Sequence, residues 1–568
     1  MFSRLCLPPN SILLSFLLQN ITHVLADLSP YFSDKKFDNG EYGSYPMQTF
    51  HSSKLVAPRI NVLSTSSRCD DGSYTLMTPR GHRVPDEARG PMILDHRGDL
   101  VWAVTGYEQT YDLMVQEYGG QQYLTFWGGN DAIGGHGAGD YYMIDSTYKQ
   151  TAKIGAASGM AADLHEFRFT DQETALITVY DVHQVDLTSV GKSKDGYVWD
   201  SLFQEISISN GELIFQWRAS DHYDVVESFH DIGDEGAQDR PWDFFHINSV
   251  EKDPWGNYLV SSRYMHTITY VNGTSGSIDW RLGGKRNDFK DVSDGRATDF
   301  TFQHDARWHN NYTVISLFDN GAQYPSHDEN APYSRGMKIA IDDEKMTARL
   351  VTEYINPEKL LSSSQGSTQI LPNGNVLVGY GYNGAFTEYA ANGDTLCDAH
   401  FGSASSFHTG EVQSYRTMKF NWTGRPHTNP SMAIVDGSAY VSWNGATEVH
   451  QWVVNNCEYQ NGREELWQPS INAKKDGFET MIPLTKVLGP YIRIAALDEE
   501  GHTIGTTESV PFDGETVLQE LQLTSSASRP IVFFIGLLAC VTTAIVIGWV
   551  LKRLRRRTHF PYSKLRWP

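Results

Sequence analysis

Two patterns of apolar and polar positions recur along the middle of the chain. The first is a short strand, a turn carrying glycine, and a second strand that ends on an aromatic residue. Residues 95–102 (DHRGDLVW), 209–217 (SNGELIFQW) and 272–280 (NGTSGSIDW) have it, and 392–401 (NGDTLCDAHF) and 498–505 (DEEGHTIG) are looser versions. Asn-Gly and related dipeptides between alternating apolar runs predict hairpins. The second pattern is a longer hairpin in four copies: 165–181 (HEFRFTDQETALITVYD), 246–263 (HINSVEKDPWGNYLVSSR), 304–320 (HDARWHNNYTVISLFDN) and 366–381 (GSTQILPNGNVLVGYG). Hairpins recurring at this pitch, with no long helical period between them, predict an all-β six-bladed β-propeller.

The expected organisation follows from the composition shifts along the chain. Residues 89–467 are assigned to the propeller and 27–88 to an N-terminal β/loop segment. Residues 468–511 form a small additional β segment, either a sandwich or a piece that helps close the ring. Residues 512–529 are a polar linker. Pro530 to Leu551 is an apolar run long enough to cross ~30 Å of hydrocarbon as one C-terminal transmembrane helix. The basic tail 552–568, with Lys552, Arg553, Arg555, Arg556 and Arg557, marks the cytoplasmic side. Residues 1–26, with one Arg, a short apolar run and small residues before Asp27, have the layout of a cleavable signal peptide. Together these predict a single-pass type I membrane protein of the secretory pathway or cell surface. Sequons at Asn272, Asn311 and Asn421 are the expected glycosylation sites.

Composition narrows the class. Hydrophobic residues are 40% and charged residues 20%, which excludes wholesale disorder. A net charge of −22 repels phosphate backbones, so nucleic acid is not an expected partner. Cys69, Cys397 and Cys457 are too few for a disulfide-built scaffold; they allow one pair, unspecified, and a spare thiol.

Three of the four aligned hairpins open on histidine: His165, His246 and His304. Equivalent positions in successive blades project at one height around one axis, so these imidazoles are expected to converge at a channel mouth. Period-two alternation adds Asn248 to the face of His246, and Arg263 ends the partner strand. Two chemistries are open to such a group. Three histidines can hold a transition metal with open positions, or one imidazole can act as nucleophile or base while a guanidinium binds an anion. Arg263 disfavours a cation beside it and suits sulfuryl or phosphoryl oxygens. No Cys-x-Pro-x-Arg stretch of a sulfatase is present, and no Gly-x-x-x-x-Gly-Lys-Ser/Thr phosphate loop.

The segments GPMILDHRGDLVW, ADLHEFRFT, PWDFFHINSV, WRLGGK, FQHDARWH, SQGSTQILPNGNVLVGYG and YVSWNGATEV resemble the fungal branch of the arylsulfotransferase (ASST-type) family, over roughly residues 89–467. The resemblance implies a cofactor-free transfer of a sulfuryl group from an aryl sulfate to a phenol, with no metal and no nucleotide donor. It implies small aromatic substrates and a covalent sulfohistidine. In that reading His304 is the nucleophile, and His246, Asn248 and Arg263 hold the sulfuryl and phenolate oxygens. His165 is a further donor or acid. A threonine of the bacterial site has no counterpart beyond Ser367 or Thr368. The C-terminal anchor departs from the periplasmic bacterial relatives. Another enzyme on the same channel, such as a hydrolase, lyase or cyclase, and a membrane-anchored binding propeller are the alternatives.

Overall fold

The computed structural model describes residues 26–133, 135–324, 332–484 and 489–512. The expected signal peptide (apart from Ala26), linker (apart from Phe512), transmembrane run and basic tail lie outside them. Among the described residues no helix is long and apolar enough to cross a membrane.

The chain is all-β and propeller-like. Six sheets share a four-strand core, and their innermost strands follow one another around a ring. Blade 1 holds Tyr74–Met77, Met92–Leu94 and Leu100–Ala103, with Met418–Phe420 as its inner strand. The inner strands of blades 2 to 6 are Gln109–Tyr118, Phe167–Phe169, Ile247–Lys252, His304–His309 and Ser367–Ile370. The four longer hairpins of the sequence supply the inner two strands of blades 3, 4, 5 and 6. Most of the aromatic-ending hairpins form the outer edges. Trp102, Trp217 and Trp280 sit in the apolar layers between neighbouring sheets, where large side chains gain most from leaving water.

Blade 1 is built from both ends of the ring. Met418–Phe420 pairs antiparallel with Tyr74–Met77, so a late segment closes a sheet begun more than three hundred residues earlier. A disulfide crosses the same seam: Cys69, just before blade 1, is bonded to Cys397 on the outer strand of blade 6. Lys419 reinforces it, donating to the Cys69 carbonyl at 2.6 Å and pairing with Glu388 at 2.9 Å. Among the described residues Cys457 is the free thiol, and it is buried. Cross-linking residues so far apart in sequence restricts the unfolded chain strongly. Cys69→Ser, or reduction of the native protein, is expected to lower stability by about 2–4 kcal/mol. A thermal melt with and without reductant measures this, and coincident melts would contradict it.

The sheets place the boundaries differently from the sequence expectation. The propeller-like ring begins at Tyr74 and ends at Phe420. Ser431–Val435, Ser438–Ser442 and Glu479–Pro483 form one further sheet. Gln451–Cys457, Gln468–Lys474, Tyr491–Leu497 and Thr503–Thr506 form another. The two enclose an apolar layer that includes Trp452, Val454, Ile482, Ile492 and Ile494. The additional β unit is therefore a two-sheet arrangement starting near Ser431, and residues 431–467 belong to it. Its hairpins have the same two-residue period as a blade, which is why sequence alone merged them. The N-terminal strands Tyr31–Phe32 and Asn61–Ser64 extend blade 6.

Candidate functional site

The inner strands do not enter the ring smoothly. Asp112 in blade 2, His246 at blade 4, Asp305 in blade 5 and Gln365 before blade 6 all have φ between 56° and 63°. Register breaks follow in blades 2, 4 and 5. A left-handed conformation costs a residue with a Cβ about 1–3 kcal/mol, and such residues persist only where the surroundings hold them. Here the bends turn side chains across the axis.

His165 and His246 meet edge to face, with ring centroids 4.9 Å apart. His304 lies across the Tyr415 ring, whose centroid is 5.6 Å from His165 and 6.5 Å from His304. The three histidines are only 2–5% exposed. Each has a fixed partner on Nδ1. His165 pairs there with Asp163 at 2.6 Å and His246 with Asp243 at 2.5 Å, and His304 donates to Asn320 Oδ1 at 2.7 Å. The backbone N–H of Gln365 donates to His304 Nε2 at 3.2 Å. With an acceptor at Nδ1 and a donor at Nε2, the neutral ring carries its proton on Nδ1 and its lone pair on Nε2.

Electrostatics agree with that assignment. Burial, then Arg263, hold His304 well below the ordinary imidazole value. Burial, then His165 and Arg263, do the same for His246. Burial pushes the Asp243 carboxyl up to about 6, against the pull of His136, His230 and His165. Burial also opposes ionisation of Asp163, but the His165 ring and the Gly137 N–H bring it down to about 2.

Arg263 is 7% exposed; among the described residues it forms no close ion pair, the Asp243 carboxyl only feeling its charge. It donates to Tyr264 Oη at 2.7 Å and to the Ser363 carbonyl at 2.8 Å, and its buried Nε–H has no acceptor. A buried guanidinium left with spare donors beside two neutral imidazoles has the donor chemistry that an anion requires. Asn248 is fully buried. Its Nδ2 donates to the Gln303 carbonyl at 2.7 Å, and its Oδ1 is unpartnered. Ser367 is bonded to the Thr417 carbonyl, and Thr368 lines a cavity of about 360 Å³ together with Arg168, Glu251 and His309. Neither supplies a threonine beside the histidines. Among the described residues only Asp498, Glu500 and His502 bring three ligand atoms within 4.8 Å of one another.

Beneath the histidines lies a buried ionic cluster. Arg416 meets Asp112 at 2.7 Å, Glu166 at 3.3 Å and Asp305 at 3.3 Å. Arg307 meets Glu166 at 2.6 Å and Asp305 at 2.8 Å. Glu166 and Asp305 directly follow His165 and His304 in sequence. Arg416 also donates to the Asn248 carbonyl at 3.1 Å, on the strand after His246. One guanidinium thus ties together the three strands that present the imidazoles.

Sequence reasoning missed the carboxylates on two of the histidines, although Asp163 and Asp243 stand two and three residues before them. It also missed His136, which is buried and stacked on Tyr180 at 4.4 Å. His136 sits in a glycine-rich loop with no strand pattern to place it.

The arylsulfotransferase (ASST) family model matches residues 114–402, just over half of the chain. The chain belongs to the arylsulfotransferase family. The match runs from the inner strand of blade 2 through blade 6 and contains His165, His246, Arg263 and His304, so this is a sulfotransferase-type enzyme. No curated protein matches the sequence. Among solved structures, a Bacteroides caccae protein of unknown function is 11% identical, over 62% of this chain and 100% of its own, with a TM-score of 0.37. Kuenenia stuttgartiensis hydrazine synthase is 9% identical over 65% and 79%, TM-score 0.33. The β-propeller domain of a Myceliophteria thermophila protein is 9% identical over 67% and 94%, TM-score 0.31. Likeness at this level says nothing of chemistry.

Proposed function

We propose that the chain moves a sulfuryl group from an aryl sulfate to a phenolic acceptor, without a nucleotide donor, through a covalent sulfohistidine at His304. The observation that carries this reading is the fixed tautomer of His304: a neutral ring, lone pair on Nε2, beside an anion-seeking Arg263. The Nε2 lone pair attacks sulfur, an S–N bond forms, and the S–O bond to the aryl group breaks with its electron pair on the phenolate oxygen. His165, braced by Asp163, supplies the proton to that oxygen. Arg263 holds two sulfuryl oxygens, and the Gln365 N–H, relieved of the lone pair, faces the third. In the second half an acceptor phenol returns its proton to His165 as its oxygen attacks sulfur, and the S–N bond breaks. His246, braced by Asp243, orients the acceptor.

The test is sulfuryl transfer from a chromogenic aryl sulfate to phenol by purified protein, with no nucleotide added. Ping-pong kinetics are expected. Release of sulfate with no dependence on the phenol would mean a hydrolase instead. Activity lost to a chelator and restored by zinc would transfer the site to a metal mechanism.

The pH profile should carry the Asp243 signature. Above about 6 its carboxylate accepts from His246 Nδ1–H, and as pH falls through about 6 it takes up a proton and that role is lost. His246 and His304 stay neutral over the same interval. The acid limb of kcat/KM is expected near pH 6 and at lower pH in Asp243→Asn. A limb that stays at pH 6 in the variant would exclude Asp243 as its source.

The body is proposed to lie outside the cytosol, anchored by the C-terminal apolar run. The Cys69–Cys397 bond fits an oxidising compartment. Asn311 and Asn421 are exposed, as glycan acceptors must be, and Asn272 is half-buried in its turn.

A further inference from the structure

A second guanidinium stands at the histidine end of the ring, and the chemistry above does not use it. Arg80 leaves the second strand of blade 1 much as Arg263 leaves that of blade 4. In a ring of six these two sheets face one another across the axis. Arg80 is 8% exposed. Its Nη2 donates to Gln365 Oε1 at 2.7 Å, and the same Gln365 donates its backbone N–H to His304 Nε2. One residue therefore separates Arg80 from the reacting nitrogen.

The charge of Arg80 is poorly met. Among the described residues its ion-pair partner is Asp131, whose carboxylate oxygen is 4.0 Å from Nη1 and already accepts from Tyr111 Oη at 2.8 Å. Its Nε–H is buried and has no acceptor. The guanidinium lies 4.1 Å over the Tyr111 ring, a placement that holds it flat. Unused donors on a buried, oriented guanidinium are what a bidentate carboxylate site requires. Tyr111 and Tyr415 pack 5.6 Å apart, and Tyr415 abuts His165 and His304, so an aromatic path joins the two ends.

We propose that Arg80 binds a carboxylate at the far end of the aryl acceptor, making phenolic acids the preferred class over neutral phenols. The inference rests on the sulfuryl-transfer reading of the same site. The phenolic oxygen faces His304 and Arg263 while the carboxylate meets Arg80.

The test compares 4-hydroxyphenylpropionate with its uncharged methyl ester as acceptors for the full-length protein, and measures binding of each by calorimetry. The wild type should favour the acid by about tenfold in kcat/KM, carried by KM, the scale of one charge-assisted contact. Arg80→Gln should remove that preference, and Arg80→Lys should restore part of it. Equal use of acid and ester by the wild type, or an unchanged acid-to-ester ratio in Arg80→Gln, would overturn the proposal. Arg80-dependent binding of the acid without any transfer would instead sink the sulfotransferase reading and leave the carboxylate site standing.

Discussion

His304→Ala is expected to lower kcat/KM for sulfuryl transfer by at least about 10³-fold, because a lost nucleophile cannot be offset by binding alone. The variant should still fold. His304 makes only two side-chain hydrogen bonds to defined partners besides the Gln365 contact, and none belongs to the ionic cluster below it. Bound aryl sulfate should be retained, since Arg263 keeps its unmet donors. The neighbouring histidines behave differently: His246→Ala and His165→Ala should cost about 10²–10³-fold, the scale of a lost donor or proton carrier. Steady-state rates for the three variants, with circular dichroism to verify folding, decide the ordering. Full turnover by His304→Ala would break the assignment of roles even if the reaction class held.

Arg416→Met should cost about 3–5 kcal/mol of stability. Arg416 is among the largest fully buried side chains and contacts three buried carboxylates from blades 2, 3 and 5. Removing it leaves Glu166 and Asp305 paired with Arg307, and Asp112 with no ion pair. Burial already pushes Asp112 up to about 6 despite Arg416 beside it, so without that cation the group should take up a proton readily. Because Arg416 lies two residues before the closing strand Met418–Phe420, its loss should also loosen the seam of the ring. A denaturant midpoint no different from wild type would show that the cluster contributes little.

Several of these features are legible in the sequence and others are not, for definable reasons. The hairpins of blades 3 to 6 announce themselves by two-residue alternation and by turns such as Asp253–Gly256 and Leu371–Gly374. The histidines that open the hairpins of blades 3, 4 and 5 are visible as a repeat, but His165 and His246 stand just before their strands and left-handed backbone at His246 and Asp305 breaks the two-residue alternation there. Blade 1 is hidden because its inner strand is three residues long and comes from the far end of the ring. Blade 2 is hidden because the bend at Asp112 interrupts its inner strand Gln109–Tyr118 and its strands carry no histidine. The partners of the site come from loops: Arg80, His136 and Gln365 reach the axis through backbone conformations that no periodicity encodes. The first half of the two-sheet unit, residues 431–467, is merged with the ring at the level of sequence because a hairpin such as Ser431–Ser442 reads alike in a blade and in a sandwich.

The most direct measurement is to quench the enzyme during turnover of an aryl sulfate, keep it alkaline, and map its peptides by mass spectrometry. A sulfuryl mass increment on the His304 peptide, acid-labile and discharged by added phenol, is the predicted result. Transfer that proceeds with no modified peptide, or with the increment on another residue, would contradict it.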